Sequence, residues 1–164
     1  MSKSSSISGV FAVDQAHIDA ALQTEYFHLQ KTIEDFDSKA MTIKTWSITF
    51  SLAVLVGAFA SHAPAVVLIA ATSSLLFWFL EALWKSFQLG YYARAQRIEA
   101  HFRGEAVLTS PNQIGAAWME RWNSTRWSEV GRLALWPHVA LPHAAVVLVG
   151  VLVFSLSKSG ALSL

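Results

Sequence analysis

Two blocks of the chain carry no ionised side chain. Thr45 to Leu80 is a run of 36 residues without Asp, Glu, Lys or Arg, and Leu133 to Ser157 is another of 25. About 20 apolar helical residues cross the roughly 30 Å hydrocarbon layer of a bilayer. The first block, broken at Ser61-His62-Ala63-Pro64, is long enough for two crossings and the second for one. The pattern predicts an all-α, polytopic transmembrane protein with three spans, near 43–63, 64–84 and 137–157.

The spans extend into helical periodicity on the polar side. No Gly or Pro lies between Gly9 and Gly57, and Leu22, Tyr26, Leu29, Ile33, Phe36, Ala40 and Ile43 recur in steps of four and three. That spacing forms one stripe with the 3.5-residue period of a coiled-coil seam. Asp14 is the predicted N-cap. Trp84, Phe87, Tyr91, Ala95, Ile98 and Phe102 repeat similarly until Gly104, a helix terminator. The two stripes are expected to bury each other within one chain, or to build a subunit interface as well. Gly90, inside the second run, weakens the helix there.

Four segments follow: a frayed Ser-rich lead (1–12), a long helical hairpin with cytosolic extensions (13–104), cytosolic or interfacial Trp-rich helices (105–135), and a third span with a short outer tail (136–164). Ser110-Pro111-Asn112-Gln113 has capping-box form, with Ser110 at N-cap and Pro111 at the first helical position. A short helix bearing Ile114, Trp118 and Trp122 should follow. Asn123-Ser124-Thr125 should interrupt it before a segment carrying Trp127, Val130 and Leu133. Trp interleaved with Arg121, Arg126 and Arg132 suits a headgroup-level helix better than nucleobase stacking, so no nucleic acid partner is expected.

Composition agrees with a lipid environment. Hydrophobic residues make up 54 % of the chain and charged residues 14 %, against typical values of about 45–50 % and about 25 % in soluble domains. With no cysteine there is no disulfide framework and no thiolate chemistry. Of twelve Lys and Arg residues, eleven lie before Thr45 or between Lys85 and Arg132. Lys/Arg-rich loops stay on the cytoplasmic side. The orientation expected is N-terminus inside and C-terminus outside, in a bacterial inner membrane, with the first span as an uncleaved insertion signal.

Candidate chemistry is sparse. Glu81 lies about one turn inside Lys85, and an intramembrane acid marks function by default. Lys44 and Glu81 are equally distant from the turn between His62 and Ala63, so an antiparallel hairpin brings them to similar depth. They form either a structural pair or, with Ser47, Ser51, Thr72 and Ser73, part of a pore lining or gate. Close helix packing is the alternative use of the small and hydroxyl residues, Ala58 and Ala70-Ala71-Thr72-Ser73-Ser74 included. Pro142 removes the bond its amide would make to the His138 carbonyl. His138 and His143, five residues apart, point about 140° from each other on a regular helix, which argues against a shared metal. Both, with the Pro142 kink, are candidates for pH sensing. No catalytic, metal or cofactor motif occurs, so neither an enzyme nor a cofactor is expected.

The block from Glu25-Tyr26-Phe27-His28-Leu29-Gln30 through the hairpin to Tyr91-Tyr92-Ala93-Arg94 resembles the SLATT-type membrane effector domains of bacterial conflict systems. The shared layout is a cytosolic lead helix, a two-helix hairpin and a helical exit, to which this chain adds a third crossing. The resemblance implies a homo-oligomer that perforates the inner membrane when triggered. The function expected is therefore a homo-oligomeric channel or pore-forming module. The alternative is a scaffold or accessory subunit that docks a membrane or cytosolic protein through its cytosolic helices.

Overall fold

The computed structural model describes residues 3–162, with residues 3–13 described by backbone alone. Every described element is helical: α1 (Lys3–Ala60), a single 3-10 turn (Pro64–Val66), α2 (Val67–Phe102), α3 (Ile114–Ser124), α4 (Trp127–Ala134) and α5 (Pro137–Lys158). Three helices are long and apolar enough to cross a membrane, over Asp14–Ala60, Pro64–Phe102 and Pro137–Lys158. The lead expected over 1–12 lies outside the residues whose side chains are described. Asp14 sits inside α1 and does not cap it. Only Gly9 precedes it as a helix breaker, too weak a signal to stop the helix.

The first reversal is made at Ser61-His62-Ala63. The amide of Ala63 bonds the carbonyl of Ala58, and His62 takes a left-handed φ of 52° that lets the chain turn before Pro64. At the other end of α2, Gly104 adopts φ 76°. Its amide and that of Glu105 satisfy the carbonyls of His101 and Ala100, the glycine-terminated helix end its sequence predicted.

The chain divides into two compact units, to each of which α1 and α2 contribute. One comprises the chain up to Asp35 with Phe87–Ser124. Its core is Leu22, Leu29, Ile33, Ala95 and Ile98, flanked by Tyr26, Tyr91 and Ile114. The α1 and α2 stripes are thus consumed against each other inside one chain. Phe102, the last member of the second stripe, is exposed.

Within this unit, α3 lies on α2 through Trp118. The indole N–H donates to the Phe87 carbonyl at 3.1 Å, and the ring stacks on Trp122 with centroids 5.6 Å apart. Gly90 is the notch that admits this ring. Its place in the helix is therefore explained by packing, which offsets its poor propensity.

The expected capping box is corrected by the structure. α3 begins at Ile114, and Ser110–Gln113 is loop. The carboxylate that receives the free amides comes from Glu25 on α1, which accepts from the N–H of Asn112 at 2.8 Å and of Gln113 at 3.2 Å. Asn112 meets it with φ 61°, a left-handed conformation that Asn tolerates.

The other unit comprises Phe36–Ser86 and Thr125–Leu164. Buried Ala58, Val67, Ala70 and Ala71 on the hairpin are small enough for close approach. On α5, an added Cβ at Gly150 would lie 3.3 Å from that of Ala71, so the third apolar helix also packs through small residues. Near the other end of α5, the Trp78 indole donates to the Ala134 carbonyl at 2.7 Å. Val130 and Leu133 of α4 are buried, whereas Trp127 of the same helix is exposed.

Candidate functional site

Three helices of this second unit converge on one acid. On α1, Lys44 and Ser47 are three residues apart. On α2, Ser74, Trp78 and Glu81 follow at steps of four and three. Both spacings put side chains on one helix face. From α5, His143 enters one residue after Pro142, which the helix accommodates without ending.

Glu81, Ser47, Ser74 and His143 are all fully buried. Lys44 donates to Glu81 Oε1. His143 Nε2 lies 3.0 Å from Glu81 Oε2, and His143 Nδ1 lies 3.0 Å from Ser47 Oγ. The Ser74 hydroxyl donates to the His143 carbonyl at 3.1 Å and stands 3.5 Å from Ser47 Oγ. The Trp78 ring is nearly parallel to the imidazole, with centroids 6.4 Å apart.

A charge removed from water is tolerable only when paired and hydrogen-bonded. Glu81 meets that condition with one partner on each of its oxygens. The order hydroxyl–imidazole–carboxylate resembles a nucleophilic triad. Ser47 has no exposed surface, however, so a substrate would reach its Oγ only if the helices parted.

The sequence-predicted residues separate clearly. Lys44 and Glu81 meet as their equal distance from the turn required. His143 joins them, while His138 is exposed beside the Trp136 ring; the two histidines do point apart. Ser47 lies in the cluster. Ser51, one turn along α1, is buried, and its hydroxyl has no hydrogen-bond partner. Ser51 also borders an apolar groove with Ile48, Leu52, Leu141, Pro142 and Ala145.

Thr72 and Ser73 are not brought in. Thr72 is exposed, and Ser73 lies partly buried beside Phe50, Leu76 and Leu80. Their neighbour Ser74 takes the inward position, because each helical residue turns the side chain by about 100°. Lys85, a further possible partner for Glu81, instead pairs with Asp37 of α1. Among the described residues no group of three or more His, Asp or Glu side chains could hold a metal ion.

A second buried ion pair lies in the unit built around Leu22 and Ile98. Arg94 Nε and Nη2 each donate to a Glu25 oxygen at 2.9 Å, and Nη2 also reaches the Ser110 carbonyl at 3.1 Å. Burial pushes the Glu25 carboxyl up, but Arg94 and the amides of Asn112 and Gln113 outweigh it and hold it below its ordinary range. The pair anchors the α2–α3 connection.

The fold and this cluster define the class: an all-helical chain with three helices of membrane-crossing length and a buried ionised group between them. No protein-family model, curated protein or solved structure matches the chain.

Proposed function

We propose that this chain is a multi-pass protein of the bacterial inner membrane that acts as a homo-oligomeric channel or pore-forming module, not as an enzyme. Its N-terminus is cytoplasmic and its C-terminus outside. The carrying observation is the Glu81 cluster: all three apolar helices contribute to one shared, buried polar centre toward the inner ends of the spans, and an ionisable residue within a span marks function by default.

In this reading the structure is the closed state. Parting α5 from the hairpin would expose Ser47, Ser51, Ser74, Lys44, Glu81 and His143 as a hydrophilic lining, with Glu81 near the inner mouth. The SLATT-type resemblance implies the same behaviour, perforation on a trigger. Self-association would use the outer faces of the spans, because the heptad stripe is already occupied. Thr72, exposed among Leu68, Ile69, Leu75 and Leu76 on α2, supplies a polar group for a contact between copies.

Reconstitution tests this directly. Purified protein in vesicles should form an oligomeric particle and pass ions, and Glu81→Gln should change the reversal potential under a salt gradient. A monomer that carries no current would overturn the proposal.

The second reading, a scaffold, is favoured by exposed Phe27, Phe102, Val107 and Met119, all at positions outside the apolar blocks. Solvent-facing apolar side chains of that kind suit a protein partner. Recovery of a stoichiometric partner without self-assembly would favour it.

A further inference from the structure

We propose that His143, Glu81, Ser47 and Ser74 form a proton-binding site whose occupancy changes the charge between α1, α2 and α5. This goes beyond the channel reading and does not depend on conduction.

The hydrogen-bond geometry assigns the resting protons. Glu81, paired with the Lys44 ammonium, is a carboxylate and can only accept. His143 Nε2, 3.0 Å away, must therefore carry a hydrogen. In the neutral ring the other nitrogen is an acceptor, so Nδ1 receives the Ser47 hydroxyl at 3.0 Å. The resting cluster has one cation, one anion and a neutral imidazole, and its net charge is zero.

A second proton can be placed without moving any heavy atom. With Nδ1 protonated, its N–H points at Ser47 Oγ, which becomes the acceptor. The Ser47 hydrogen turns to Ser74 Oγ, 3.5 Å away. The Ser74 hydroxyl already donates to the His143 carbonyl at 3.1 Å. Every donor keeps an acceptor, and the net charge becomes +1 with Glu81 between two cations. A purely structural histidine would need partners for one protonation state; here the hydroxyl chain serves two.

The surrounding charges are few. α1 presents Lys44 and α2 presents Glu81, with Trp78 covering the ring. On α5 itself His138 is exposed, and α4, which touches α5, carries half-buried Glu129 and exposed Arg132. The 3-10 turn that also touches α5 has no charged residue. The Lys44 side chain, 14 % exposed, is the part of the cluster that meets the surface. Imidazole is the side chain suited to exchanging one within the physiological range.

The test is nitrogen-15 magnetic resonance of histidine-labelled full-length protein in lipid vesicles, with His143→Gln used to assign the His143 signals. In alkaline buffer His143 should be a pure Nε2–H tautomer, and on acidification it should gain an Nδ1–H while the helical signals persist. In Glu81→Gln, which removes the counter-charge, the Nδ1–H signal should not appear on the same acidification. An Nδ1–H tautomer at high pH would overturn the proposal. So would a His143 that stays singly protonated in the unmodified protein while other histidines titrate. The unmodified protein decides the matter even if the Glu81 variant fails to fold.

Discussion

Gly90 and Trp118 occupy the same space: a Cβ on the glycine would stand 2.3 Å from Cδ1 of the indole and 2.6 Å from its Nε1. The glycine sits mid-helix on α2, where alanine would ordinarily be favoured by up to about 1 kcal/mol. Gly90→Ala should nevertheless destabilise the protein, because overpacking of this kind costs about 1–3 kcal/mol. It should also break the indole bond to the Phe87 carbonyl. Thermal unfolding in detergent checks the sign. In the Trp118→Ala background the same substitution should become neutral or stabilising, and equal costs in both backgrounds would refute the notch.

Glu25 makes a pH prediction. Its folded carboxyl is held below the unfolded value of about 4.3. A depressed acid contributes stability above the unfolded value and loses it as pH falls through the folded one. Acidification below about pH 4 should therefore release the 109–113 loop, read as faster amide exchange at Asn112 and Gln113. Glu25→Gln should remove this acid step. It should also cost about 3–5 kcal/mol at neutral pH, because Arg94 is left buried without a counter-charge.

Gly150 should tolerate little. At 3.3 Å from the Ala71 Cβ, an alanine asks its neighbour to shift slightly, whereas Gly150→Leu forces α5 away from α2. The leucine variant should lose about 1–3 kcal/mol of stability, and Ala71→Gly should recover part of it. Unfolding midpoints in one detergent provide the comparison.

Orientation can be read with single cysteines, since the natural chain has none. Ser61→Cys, at the exposed first turn, should react with a membrane-impermeant maleimide on whole cells. Asn123→Cys, exposed in the last turn of α3, should react only after permeabilisation. The reverse pattern would invert the proposed topology.

Much of this architecture could be read in the residues themselves. Charge-free length reports directly on helices able to cross lipid, and equal distance from a turn places Lys44 opposite Glu81. The choice among Thr72, Ser73 and Ser74 was harder, because adjacent hydroxyls differ by about 100° in direction and composition does not carry that angle. His143 could be seen to diverge from His138, but which of the two faced Glu81 depended on the rotation of α5. The capping-box reading of Ser110–Gln113 failed for another reason. The decisive acceptor, Glu25, is 87 residues from Asn112 along the chain, beyond any local pattern. Gly90 looked like a weakness until Trp118 filled the space beside it.

The clasp between Glu25, Arg94 and the Asn112 and Gln113 amides joins α1, α2 and the start of α3 without using the Gly104–Val107 backbone. Proteolysis there should leave the fragments associated, and the two halves made as separate polypeptides should find one another in the cell.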